Sequence, residues 1–119
     1  MSYAKFDDGF ADHPKVRRLS PHAFQLHVAG ILHCSRWLTD GVIQADSVPD
    51  LVRKFRPSAV DELIAAGLWR DQAGLAYVIH DYLEWNDSRA QVERRRAAKA
   101  ERQARWLEKR KHDDTGDDL

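Results

Sequence analysis

The sequence predicts a mainly α-helical fold with one small β-hairpin, continued by a long basic helix. Three observations carry that expectation. Apolar residues recur at helical spacing between positions 21 and 66, two short β-prone runs flank a turn at Gly74, and no glycine or proline interrupts the stretch from Ser88 to Lys111. With 119 residues, 43% of them hydrophobic, the chain can bury one modest core.

Residues 3–12 (YAKFDDGFAD) alternate aromatics with acids and read as an irregular arm pinned by Tyr3, Phe6 and Phe10. Pro14 suits the first position of a short helix running towards Leu19, and Ser20-Pro21 restarts the chain as an N-cap and first helical residue. From Pro21 to Leu38, Phe24, Val28, Ile31, Leu32 and Leu38 recur near a 3.6-residue period, with Leu26 and Trp37 broadening the stripe, and this is the expected core helix. Thr39-Asp40-Gly41 reads as a turn and Val42-Ile43 as a very short strand.

Asp46 or Ser47 can cap a second helix through Val48, Leu51, Val52 and Phe55. Pro57-Ser58 begins a third, with Val60, Leu63 and Ile64 inward and Gly67 as its stop. Leu68-Trp69 starts a strand, residues 70–74 form a tip, and Ala76–Ile79 return. Helix, short strand, two helices and a hairpin, in that order, is the winged helix-turn-helix plan, with the hairpin as the wing. His80–Asn86 closes the core as a turn or short helix, and Asp87 or Ser88 caps a final helix reaching roughly 36 Å. The expected division is a winged-helix domain at 1–87, a basic helical tail at 88–112 and an acidic disordered terminus at 113–119.

Formal net charge is zero, but its distribution is uneven. Residues 1–87 carry 9 Lys/Arg against 12 Asp/Glu, a net of −3; residues 88–111 carry 10 against 3, a net of +7; the last eight add four aspartates. Cys34 is the single cysteine, so an internal disulfide is excluded and a buried, inert thiol is expected. No signal-like run and no apolar stretch of about 20 residues occurs, which points to a cytoplasmic protein without a membrane partner.

Candidate phosphate contacts are Arg53, Lys54 and Arg56 before the third helix, Ser58 in it, Arg70 on the wing, and Arg89, Arg94, Arg95, Arg96, Lys99, Arg102 and Arg105 in the tail. Such cations bind phosphate by counterion release without reading sequence. The bland alternative for the tail is a solvated helix held by pairs to Glu93, Glu101 and Glu108. The third helix presents Ser58, Asp61, Glu62 and Ala65 outward, none of them a usual reader of base edges. Asp61 and Glu62, with Trp106 in the tail, are therefore candidate protein contacts, and a protein-interaction module using the winged helix as scaffold is the alternative function. Trp37, Trp69, Tyr77 and Trp85 are expected in the core, while Trp106 has almost wholly polar surroundings. The six histidines show no metal-ligand spacing and there is no phosphate-binding glycine loop, so no enzyme, metal or cofactor is expected.

The segments FDDGFADHPKVRRLSPHAF, TDGVI, AVDELIAAGLW and YVIHDYLEWNDSRAQVERRR, taken together, resemble winged-helix proteins of actinobacteria and their phages related to the N-terminal domains of replisome organisers and replication initiators. The resemblance covers residues 3–96. It implies a DNA-binding, replication-associated winged helix. Val60, Leu63, Ile64, Gly67 and Leu68 would be the signature of its second helix and wing entry, and Tyr77, Ile79, His80, Tyr82, Leu83 and Trp85 its closing segment. In that family a further domain often handles a helicase or its loader; a chain ending after the basic helix would instead be a small accessory or regulatory protein. A homodimer or a replication-related protein partner fits either function.

Overall fold

The computed structural model describes residues 3–116, with side chains through His112. Residues 117–119 of the expected acidic terminus lie outside the described residues. The chain divides after Ser88 into two units. The first is mainly helical around a three-stranded antiparallel sheet, and the second is one long helix.

After a 3-10 turn at Phe10–Asp12, the first unit contains α1 (Pro14–Arg17), α2 (Pro21–Trp37), β1 (Val42–Gln44), a second 3-10 turn (Ala45–Asp50), α3 (Pro57–Ala65), β2 (Trp69–Gln72), β3 (Ala76–Ile79) and α4 (Tyr82–Trp85). β3 is the central strand, with β1 on one side, Val42 opposite Val78, and β2 on the other, Trp69 opposite Ile79. Local signals start and stop these elements. Ser20 Oγ accepts from Ala23 N at 3.2 Å to cap α2, and Leu38 takes the left-handed conformation that ends it. Gly67, at φ +75°, ends α3 and lets Leu68 N donate back to Leu63 O at 3.0 Å.

Two sequence expectations fail here for identifiable reasons. The expected second helix through Phe55 is the 3-10 turn followed by bends. Pro49 lies inside it, has no N–H to donate, and disfavours α geometry at the preceding Val48. Its apolar residues keep their packing nonetheless, with Val48 buried and Leu51, Val52 and Phe55 set against the core.

The buried face of α2 also has a different phase from the expected stripe. It is Ala23, Leu26, His27, Gly30, Ile31 and Cys34, three and four apart, while Phe24, Leu32 and Trp37 are exposed. Gly30 has its place because the Trp69 indole lies against the helix there: a Cβ at residue 30 would stand 2.8 Å from Trp69 Cζ2 and 3.0 Å from Ile43 Cδ1. Trp69, Leu26, Ile43, Leu63, Val48 and Cys34 are the largest fully buried side chains. Trp37 and Trp85, expected inside, are more than half exposed (60% and 55%), Tyr3 is also exposed, and Ile64 lies at the surface of α3.

The N-terminal arm is stitched to the end of the same unit. Lys5 N donates to Asn86 Oδ1 at 2.7 Å and Asn86 Nδ2 donates to Lys5 O at 3.3 Å, so the amide side chain mimics a strand partner. The second unit is α5 (Arg89–Gly116), which runs four residues past the expected boundary at 112 because no helix breaker precedes Gly116.

Candidate nucleic-acid interface

In the first unit the candidate cations fall at the two ends of α3. Arg53 and Lys54 lie in the bends before it, Arg56 is its N-cap residue and Ser58 is in its first turn; all four are exposed. The partial positive charge of the helix N-terminus adds to theirs. Arg70 is exposed on β2, near the other end of a nine-residue helix about 13 Å long. It shares a shallow groove with Ile64, Gly67, Asp71 and Asp81, so acids stand beside it. The N-terminal end of α3 is the better phosphate position.

The outward acids of α3 have separate fates. Asp61 is exposed. Glu62 is half-buried, and its carboxylate accepts from Ser20 Oγ at 2.7 Å and from Ser20 N at 3.1 Å. It thereby ties α3 to the capped N-terminus of α2, which is a structural role for a residue expected at the surface. Of the two candidate acidic protein contacts, only Asp61 projects freely.

In α5, Arg89 Nε pairs with Glu93 Oε1 at 2.8 Å, and Arg105 pairs with Glu101 one turn back. Exposed i,i+4 pairs of this kind add only about 0.3–0.5 kcal/mol each. Projected at 3.6 residues per turn, the ten Lys and Arg between positions 89 and 111 spread over roughly 260° of the helix, and the three glutamates gather within about 80°, a sector that the cationic arc meets at Lys111. Trp106 falls near the middle of the cationic arc. It is 58% exposed, and the Arg110 guanidinium carbon stands 5.3 Å from the centroid of its ring. The helix thus presents a broad cationic arc around one exposed indole, with two of its cations paired to glutamates at the arc's edge.

Sequence reasoning missed a buried polar cluster. Trp69 Nε1 donates to His27 Nδ1 at 3.0 Å, and Phe10 stacks on the imidazole with centroids 5.7 Å apart. Burial pushes the His27 pKa down to about 4 and the Tyr82 pKa up to about 12, and it raises that of Cys34. At neutral pH all three are uncharged. The thiol of Cys34 points to Val42 O at 3.8 Å and is buried, as the sequence led one to expect. Among the described residues, no group of three or more His, Cys, Asp or Glu is placed to hold a metal ion, and no helix is long and apolar enough to cross a membrane.

No protein-family model matches the chain, and no curated protein or solved structure matches it either.

Proposed function

We propose that the chain is a non-enzymatic DNA-binding protein with a replication-associated or regulatory role, in which α5 supplies most of the affinity through phosphate contact. The observation that carries this reading is the broad cationic arc of α5 with Trp106 exposed within it. The first unit reads as a winged helix in which a 3-10 turn stands where the first helix of the helix-turn-helix would be, and β2–β3 form the wing. Arg53, Lys54 and Arg56 add phosphate contacts at the N-terminal end of α3. Because α3 shows Ser58, Asp61, Ile64 and Ala65 outward, sequence discrimination is expected to be weak. The replication setting rests on the resemblance of the sequence segments alone.

The test is fluorescence anisotropy on duplex and single-stranded DNA of several sequences between about 50 and 200 mM salt. Each phosphate neutralised contributes about −0.9 to the slope of log K against log salt on duplex and about −0.7 on single strands. Replacing Arg94, Lys99 and Arg102 together by alanine is expected to flatten the slope by about 2 to 3 and to weaken all sequences alike. A triple variant with unchanged affinity and slope, or a full-length chain that binds neither form at the low-salt end, refutes the reading.

A further inference from the structure

The first unit has a half-open cavity of about 180 Å³ between the N-terminal arm and the wall made by α2, β3 and α4. An apolar cavity of about 150 Å³ accepts one benzene ring, so the space is that of a single ring with a small substituent. Phe6, Phe10, Tyr82 and Trp85 contribute aromatic surface, and Val16, Ile31, Leu68 and Ile79 contribute aliphatic surface.

Two buried polar residues, His27 and Asn86, share this lining with exposed charged side chains, and the Asn86 amide is already bonded to the Lys5 backbone. His27 is only 3% exposed and lines the cavity. An indole nitrogen can only donate, so the bond from Trp69 Nε1 makes His27 Nδ1 an acceptor. The neutral imidazole must then carry its proton on Nε2. That N–H makes no hydrogen bond among the described residues, and it is not sealed off, since the wholly buried side-chain polar atom without a partner there is Thr39 Oγ1. The charged groups at the margin offset one another: Lys5 and Lys15 stand with Asp7 and Asp81, and His80 Nε2 lies 3.0 Å from Asp81. His13 and Tyr82 are the remaining titratable residues there. A neutral guest suits this balance better than an ion.

We propose that the cavity binds a neutral six-membered planar ring carrying a hydrogen-bond acceptor, with the acceptor on His27 Nε2–H and the ring against Phe6, Phe10 and Trp85. A water molecule in the same position would take the His27 bond but leave the aromatic surface of Phe6, Phe10 and Trp85 without an apolar partner. A ring with an acceptor satisfies the donor and the apolar surface together. The site stands whether or not the chain binds DNA.

Pyridine and benzene form the test pair, since they share size and shape and differ in one acceptor. Each is titrated into the full-length protein at pH 7.5, followed by the side-chain nitrogen resonances of His27. Pyridine is expected to saturate, to move the Nε2 resonance, and to bind about tenfold more tightly than benzene, the worth of one buried hydrogen bond. In His27→Phe, which keeps a ring and loses the donor, the two ligands should bind equally. If that variant does not fold, the wild-type ratio decides alone. Equal affinity of the two ligands for the wild type, or no saturable shift below about 20 mM pyridine, overturns the proposal, since even a millimolar site would be filled there. An added oligothymidine then separates two sources of such a ring: displacement of pyridine assigns it to a base splayed from a strand, and retention assigns it to a free small molecule.

Discussion

Trp69 combines several constraints in one side chain. Its ring lies against Gly30, its Nε1 donates to His27, and its other side meets Tyr77 at 5.8 Å. Alanine in a helix interior normally gains about 1 kcal/mol over glycine. At position 30 that gain is outweighed, because the new methyl would stand 2.8 Å from an aromatic carbon that the His27 bond holds in place. Gly30→Ala is therefore expected to gain nothing and to lose up to about 2 kcal/mol net in urea denaturation, overpacking costing about 1–3. His27 makes stability depend on pH. The unfolded imidazole takes up a proton near pH 6.5 and the folded one only near 4, so the stabilisation is complete above pH 6.5 and is lost as the pH falls towards 4. The loss across that window is on the order of 3 kcal/mol, at 1.36 kcal/mol per pH unit of difference. His27→Gln retains an acceptor for Trp69 without titrating. Denaturation midpoints of this variant should fall less between pH 7 and pH 4.5 than those of the wild type; equal slopes would remove His27 from the pH dependence.

At the level of elements, the link between α2 and α3 is concentrated at Ser20. Its Oγ caps α2 and donates to Glu62, so Ser20→Ala removes a cap and leaves a half-buried carboxylate with one fewer donor. A loss of about 1–2 kcal/mol is expected, against less than about 0.5 for Asp61→Lys one residue away from the carboxylate, as thermal or urea unfolding would show. The cap at Ser20, the stop at Gly67, the strands and the long helix were all legible, because each has a local signal in one or two residues. The phase of α2 was not. Its buried face includes glycine, alanine and histidine, which apolar periodicity undervalues, and the large residues Leu32 and Trp37 lie outside it. What selects that face is Trp69, 39 positions beyond Gly30 in the chain, so the information is tertiary. The same holds for the candidate site: the cations were visible as a list of residues, whereas Glu62's tie to Ser20 and the His27 donor exist only once distant segments meet.

Across the whole molecule, charge is segregated while its sum is zero and the isoelectric point is about 7.0. A neutral net charge with opposite blocks favours association between copies at low ionic strength. Light scattering at neutral pH is expected to show a mean mass that falls towards that of one chain as salt rises from about 20 to 300 mM, over which the screening length shrinks several-fold. A mass independent of salt would mean that any association rests on apolar contact instead. The seam between Lys5 and Asn86 also orders events during synthesis. The two residues are 81 positions apart, so at about 5–20 residues per second the arm waits roughly 4 to 16 seconds for its partner to be made. Phe6 and Phe10 leave the ribosome early, yet the bonds that seat their segment form only after both strands of the hairpin have been translated. The arm is made before the hairpin and fastened after it, and the cavity it walls has no floor until then.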